Sequence, residues 1–296
     1  MSPPAAARYP GSVLRPSEFN IAVRIVSLHC YPLKSGRGLE LEQAQLTPAG
    51  IAHDRRWMVV TPSGRFLTQR ELPRLALIRP ELSANELLLR APARDELRIA
   101  LRELGHRIQV MVWNDSCPAF DEGDAAASWL AAVLERECRL VRFDPEHRRL
   151  SARAWTGDIE TENRFSDGFP LLVIGRASLA DLNSRLPRAL PMNRFRPNIV
   201  LEGLEPYGED RVDELHDGPL RLKLVKPCTR CRITTTDQET AMLDGDEPLR
   251  TLKTYRHDAQ LRGVLFGQNT IILQGAGGTL RRGQSLQVRW KESATQ

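Results

Sequence analysis

The sequence predicts a mainly β protein of the α+β class, built as two β-rich units with a few packing helices. Three observations predict it. Short segments of β-forming residues recur between residues 21 and 113, separated by turn residues, as in antiparallel sheets. One stretch, residues 125–137, breaks that rhythm with apolar residues at helical spacing. The length, 296 residues, is more than one modest core needs and favours two domains. A content of 41% hydrophobic and 27% charged residues belongs to an ordinary globular protein. No apolar run approaches the roughly 18 residues of a membrane span.

Residues 21–29 alternate well enough for a half-buried strand, which delivers the chain to Tyr31-Pro32-Leu33-Lys34-Ser35-Gly36. Pro32 and Gly36 mark a loop, and a lysine beside a serine on such a loop is either a phosphate grip or an exposed turn. Residues 57–60 form a second strand, entered from Asp54-Arg55-Arg56. Successive strand positions face opposite sides, so one of these arginines faces a site and the other faces solvent. Residues 75–79, 86–90, 97–101 and 108–113 read as further short strands. Residues 125–137 carry Ala126, Trp129, Leu130, Val133 and Leu134 on one helical face after Asp124 as N-cap, and Trp129 reads as core. A strand at 139–143 and a basic turn at 145–151 bring the chain to the domain junction. The division is a disordered leader at 1–19, a first domain at 20–147 and a second at 148–293.

In the second half, residues 161–167 read as a polar loop and 171–174 as a strand buried on both faces. Ser178 caps a short helix bearing Leu179, Leu182 and Leu186, stopped by Pro187. Pro197 holds Arg196 extended, and Asn198 offers a donor and an acceptor. Residues 220–225 lead into Cys228-Thr229-Arg230-Cys231, and the β-branched run 233–236 predicts a strand. Asp246 and Pro248 open a helix with Leu249, Leu252 and Tyr255 along one stripe. Phe266-Gly267-Gln268-Asn269 reads as a glycine turn before a strand at 270–273, and a strand at 285–290 closes the sheet.

Chemistry concentrates at Cys228 and Cys231, set among Lys226, Arg230 and Arg232. Cationic neighbours lower a thiol's pKa, and a thiolate is a nucleophile and a soft metal ligand. These residues alone leave open a zinc half-site, a redox pair or plain buried thiols. A structural zinc site needs a second pair of ligands, whereas Cys30, Cys117 and Cys138 are scattered. Five cysteines without disulfide-like density favour a reducing, cytoplasmic setting. The net charge of +5 comes from 42 basic and 37 acidic side chains, mostly interspersed, which argues against a nucleic-acid partner.

The cysteine stretch continues as Thr234-Thr235-Thr236-Asp237, then Glu247-Pro248-Leu249-Arg250-Thr251-Leu252-Lys253-Thr254-Tyr255-Arg256 and Leu265-Phe266-Gly267-Gln268-Asn269. Together with Tyr31-Pro32-Leu33-Lys34-Ser35, Asp54-Arg55-Arg56-Trp57 and Phe195-Arg196-Pro197-Asn198, it resembles the MOSC domain family. Within that family it looks most like the amidoxime-reducing molybdenum enzymes and their bacterial relatives. The resemblance runs from about residue 20 to 290. It implies a MOSC β-barrel domain preceded by a MOSC N-terminal β-barrel domain, and a bound molybdenum cofactor. By the same resemblance Cys231 is the catalytic metal ligand. Lys34, Ser35, Arg55, Arg196 and Arg230 hold the cofactor's phosphate and pterin, helped by Asn198, Thr229 and Asn269. Asp167 and Gly168 touch the pterin side, Arg56 is the solvated partner of Arg55, and residues 66–71 line the cleft.

The implied activity is reduction of N-hydroxylated small molecules: amidoximes, hydroxylamines and N-hydroxylated bases. Some bacterial relatives carry a further ferredoxin-like domain that this sequence lacks. Electrons are then expected from a separate ferredoxin, flavoprotein or cytochrome b5-like protein. Two other readings are a carrier of molybdenum cofactor or sulfur through a Cys231 persulfide, and a pyridoxal-phosphate protein using Lys34 or Lys226.

Overall fold

A computed structural model describes residues 22–292; the leader assigned to residues 1–19 lies outside the described residues. The centre is a closed barrel of seven strands. Around it run Leu171–Gly175, Ile199–Glu202, Ala22–Cys30, Ser285–Trp290, Val212–Asp217, Leu220–Arg230 and Gly263–Gln274. The last pairs back onto the first, with Leu171 opposite Thr270, so no edge remains open. Neighbours are antiparallel except Leu171–Gly175 and Ile199–Glu202. That parallel pair needs a crossover, which the Arg176–Arg185 helix supplies. Val23, Ile25, Leu28, Leu171, Val173, Leu222 and Leu286 fill the interior.

The strand Ala22–Cys30 lies between Ile199–Glu202 and Ser285–Trp290. The barrel therefore takes its material from both sides of the 147/148 junction. The rest of the first half forms a sheet of Trp57–Val60, Arg139–Phe143, Asp115–Asp121 and Arg107–Val112, and a second of Arg79–Leu82, Glu86–Arg90 and Leu97–Ala100. The Asp124–Leu134 helix covers them with Ala126, Leu130, Val133 and Leu134, against a core that includes Trp57, Leu75 and Leu87. Trp129 is half-buried there and its indole N–H donates to the Asp95 carbonyl at 2.5 Å.

The two halves are sewn together where the site forms. Trp57 N–H donates to the Pro32 carbonyl at 2.9 Å, and Lys34 N–H to the Trp57 carbonyl at 2.8 Å. Arg142 and Glu122 form a buried ion pair beneath Trp57. Arg142 is fully buried, Glu122 accepts from its Nε at 2.6 Å and Nη2 at 2.8 Å, and the Trp57 indole donates to Glu122 at 2.6 Å.

Several local expectations are corrected. Residues 75–79 split into a 3-10 turn, Pro73–Leu77, and a strand from Arg79, because Pro73 starts the turn. Gly123 is the N-cap, and Asp124 is the helix's first residue. Ser178 lies inside its helix, where its hydroxyl donates to Glu209 Oε2 at 2.7 Å instead of capping. The loop at 161–167 and the turn at 145–151 share a two-residue ladder, Glu162–Asn163 with Arg149–Leu150. Residues 233–236 are not a strand; Arg232–Thr235 is a 3-10 turn. Phe266 to Asn269 is no turn but the middle of the Gly263–Gln274 strand. Gly267 sits there at φ +81°, and a β-carbon on it would come within 2.6 Å of the Ile174 side chain, where the barrel closes.

Candidate functional site

The site lies where the Ala22–Cys30 and Leu220–Arg230 strands end against the first half's sheets. Three expected residues, Ser35, Arg55 and Arg196, have left-handed backbones, with φ of +65°, +46° and +56°. Side-chain residues in that region cost energy, so their clustering marks a place where the fold imposes conformation. Arg196 is thus not extended as the following proline predicts. The left-handed turn aims its guanidinium back at Tyr31.

Tyr31 is buried between two cations. The Arg55 and Arg196 guanidiniums lie 4.4 and 4.3 Å from its ring centroid. Cation–π attraction partly offsets the desolvation of both. Burial pushes the Tyr31 phenol up to about 12, so it keeps its proton at neutral pH. Burial pulls Arg196 down to about 10, still charged at neutral pH. Arg196 Nη1 donates to the Gly36 carbonyl at 2.6 Å, and Arg55 pairs with the buried Asp54. Asn198 makes three side-chain hydrogen bonds: its Oδ1 accepts from Leu172 N–H at 3.1 Å and Arg55 Nη1 at 3.2 Å, and its Nδ2 donates to the His29 carbonyl at 3.1 Å. It positions Arg55 and joins two barrel strands.

Lys34 is buried, and its ammonium donates to the Phe165 carbonyl at 2.7 Å and to Asp167 at 2.5 Å. Burial lowers the Lys34 pKa and the Asp167 charge opposes that shift. Desolvation works to raise Asp167, but the Lys34 ammonium outweighs it and holds the carboxyl well below the usual range. The Trp113 indole N–H also donates to Asp167, at 3.2 Å. A depressed carboxylate stabilises the fold above its unfolded pKa of 3.8 and loses that contribution as pH falls toward the folded value. Asp167→Asn is therefore expected to flatten the loss of stability below pH 3.8, measured as urea midpoints against pH. An unchanged pH profile would count against the pairing.

Cys231 ends the Leu220–Arg230 strand and caps the following 3-10 turn, half-buried. Its sulfur lies 3.8 Å from Arg70 Nη1, and the Arg70 guanidinium stacks 4.6 Å from the Trp113 ring centroid. Cys228 instead receives Arg230 Nη1 at 2.9 Å. Arg230 Nη2 donates to the Phe195 carbonyl at 2.6 Å, while its buried Nε has no partner among the described residues. Next to this, Gln69 Nε2 donates to the Ser35 carbonyl at 2.7 Å.

The structure thus brings together Lys34 with Asp167, and Arg55 with Arg196 and Asn198, and ties the Ser35–Gly36 backbone to Gln69 and Arg196. It also sets Arg230 against Phe195, next to Arg196. The remaining expected residues stand apart from these bonds. Thr229 is exposed with its side chain against Gly263. Asn269 is half-buried opposite Lys226 and Leu172. Gly168 offers its carbonyl to Asn163 Nδ2 at 3.4 Å. Arg56 is not a solvated arginine; it stacks 5.2 Å from the Trp57 ring centroid. Three residues went unassigned in the sequence: Tyr31, Arg70 and Trp113. Tyr31 had a signal only as part of its loop motif and Arg70 only from the cleft-lining segment 66–71, while Trp113 had none.

Residues 22–137 match the MOSC N-terminal beta barrel domain and residues 160–287 match the MOSC domain. Mitochondrial amidoxime-reducing component 1 of Mus musculus is 37% identical over 259 residues, 84% of this chain and 76% of that protein. The chain belongs to the MOSC family. The Homo sapiens component 1 is 34% identical over 262 residues, covering 84% of this chain and 77% of its own length. A crystal structure of the YuaD protein from Bacillus subtilis aligns over 92% of this chain and 98% of its own, at 11% identity and a TM-score of 0.41. No described helix of this MOSC protein is long and apolar enough to cross a membrane.

The donor set fits a cofactor that brings its own metal ligands. Among the described residues, no three His, Cys, Asp or Glu side chains gather as a metal cage. A metal at Cys231 would meet one soft protein ligand and take the rest from outside the chain. The orphaned Arg230 Nε and the stacked Arg55 and Arg196 provide cationic donors for a phosphorylated heterocycle.

Proposed function

We propose that this chain is a molybdenum-cofactor-dependent reductase of N-hydroxylated compounds, from amidoximes to hydroxylamines and N-hydroxylated bases. The observation that carries it is the half-exposed Cys231 sulfur beside Arg70, next to a cluster of buried guanidiniums at the barrel's end. The relatives' name, amidoxime-reducing component, supports the substrate class. When bound, the cofactor supplies two-electron oxygen-atom acceptance, converting N–OH to N–H and water with two electrons and two protons.

The chain's residues do the holding. Cys231 ligates the metal, and Arg70 balances charge beside that sulfur. Arg55, Arg196 and Arg230 bind the anionic tail, with Asn198 fixing Arg55. Lys34 and Asp167 hold the loop on the pterin side, and Asp167 gives any incoming donor a carboxylate that stays charged. Electrons come from a separate carrier protein, and the net charge of +5 suits an acidic one.

The chain purified from a host that makes the cofactor should carry molybdenum and pterin near one per chain. It should reduce benzamidoxime to benzamidine with a chemical reductant. Bound cofactor without turnover would leave a carrier; neither cofactor nor turnover would end the proposal.

A further inference from the structure

The turn His53-Asp54-Arg55-Arg56 sends its two arginines to different places. Arg55 goes to Tyr31, whereas Arg56 lines a separate cavity of about 320 Å³. The walls come from residues 47–49, 52, 53 and 56, from 143, 145 and 147, and from 162–164. The charged and titratable groups facing it are Arg56, Arg164, His53, His147 and Glu162. Glu162 already accepts from Arg148 Nε at 2.6 Å. Neither Arg56 nor Arg164 forms a salt bridge among the described residues. The nearby carboxylates are committed elsewhere: Asp54 to Arg55 and the Tyr31 N–H, Glu122 to Arg142.

Two guanidiniums taken partly out of water without a counter-charge are costly, and they repel each other. Burial, then the Arg142 and Arg164 charges, pull Arg56 down to about 10. Arg164 is lowered too, mainly by burial. Its orientation is nonetheless fixed, with Nη1 donating to the Ile51 carbonyl at 3.3 Å and Nη2 to Thr47 Oγ1 at 3.1 Å. Arg56 is fixed by stacking on Trp57 and by Nη1 contacting His53 Nδ1 at 3.1 Å. Burial, helped by both arginines, holds His53 down to about 4, so its ring is neutral at pH 7. Since Nδ1 accepts from Arg56, the ring proton sits on Nε2. The donors left over are Arg56 Nε and Nη2, Arg164 Nε and His53 Nε2.

We propose that this cavity binds a dianionic phosphate group, free or as a small phosphomonoester, held between Arg56 and Arg164 with His53 donating a further hydrogen bond. The guanidinium fork matches phosphate oxygens, and the volume is at the small end of ligand sites. The bound dianion replaces the missing counter-charge. It also raises the His53 pKa, because it favours the imidazolium that the two arginines now oppose.

The test is titration of the full chain with inorganic phosphate by calorimetry, with the His53 ring followed by NMR. Wild type should bind saturably, and the His53 pKa should rise on binding. Arg56→Gln should weaken binding at least tenfold. Ala49→Tyr, which adds a ring at the cavity wall and removes no charge, should do the same. Arg196→Gln should leave this binding unchanged, which separates it from any phosphate held at the Tyr31 cluster. Ribose 5-phosphate binding tighter than inorganic phosphate identifies a phosphomonoester as occupant, and the reverse identifies the free ion. A tenfold loss in either cavity variant supports the site. No saturable binding to wild type, binding retained in both cavity variants, or a loss confined to Arg196→Gln overturns it.

Discussion

Cys231→Ala is expected to remove molybdenum from the protein and to lower kcat/KM for benzamidoxime by well over the ~100-fold seen when a ligand's supporting residue is lost. No other thiol can stand in. Cys30, Cys117 and Cys138 are buried, and burial pushes their thiols up, Cys138 to about 11. Cys228 is turned to Arg230, so Cys228→Ala should cost far less than Cys231→Ala. The lost sulfur is half-exposed and its backbone bonds, from Thr234 N–H at 3.0 Å and Thr234 Oγ1 at 2.9 Å to the Cys231 carbonyl, survive the change. Folding stability should therefore move by no more than about 0.5 kcal/mol. Metal content by mass spectrometry and initial rates with a chemical reductant check the prediction. Full metal content and unaltered turnover in Cys231→Ala would sink it.

The barrel was legible wherever burial alone decided the pattern. Val23, Ile25 and Leu28 alternate or nearly so along Ala22–Cys30, and Leu171–Gly175 is buried on both faces. Local propensity failed where side chains bond their own backbone. Residues 233–236 have strand propensity, but Thr234 and Thr235 hydroxyls donate to carbonyls three residues back and close a 3-10 turn. Gly267 read as a turn because its φ freedom serves close approach across the barrel's closure, a long-range demand invisible along the chain. The same limit governs the site. Cys231, Lys34, Arg55, Arg196 and Arg230 were readable through motif resemblance, because each sits in a short contiguous signature. Arg70 reaches the sulfur from another element and Trp113 stacks on Arg70 from a third, so only the fold joins residues 70, 113 and 231. Tyr31 was readable as part of a loop, but its two guanidinium neighbours are 24 and 165 positions away.

Glu122→Ala is expected to destabilise the protein by about 3–5 kcal/mol, the cost of stranding one member of a buried ion pair. Arg142 would keep its charge with no exposed surface, while the Trp57 indole would lose its acceptor. Two of Arg142's bonds, to the Leu101 and Ala100 carbonyls at 2.8 Å each, would remain, but neutral carbonyls cannot balance a guanidinium. Glu122→Ala with Arg142→Met should recover part of the loss, since the buried charge is gone, but those two carbonyls then lack a donor. Urea denaturation of the three proteins measures this; a change under about 1 kcal/mol for Glu122→Ala would show that water or rearrangement already serves the guanidinium. The site shares the consequence. Trp57 exchanges backbone hydrogen bonds with the Pro32 carbonyl and the Lys34 N–H, so loosening its strand loosens the loop that holds Lys34 against Asp167. Turnover in Glu122→Ala should then fail at lower urea concentrations than global unfolding requires, whereas Cys231→Ala loses turnover with its fold intact.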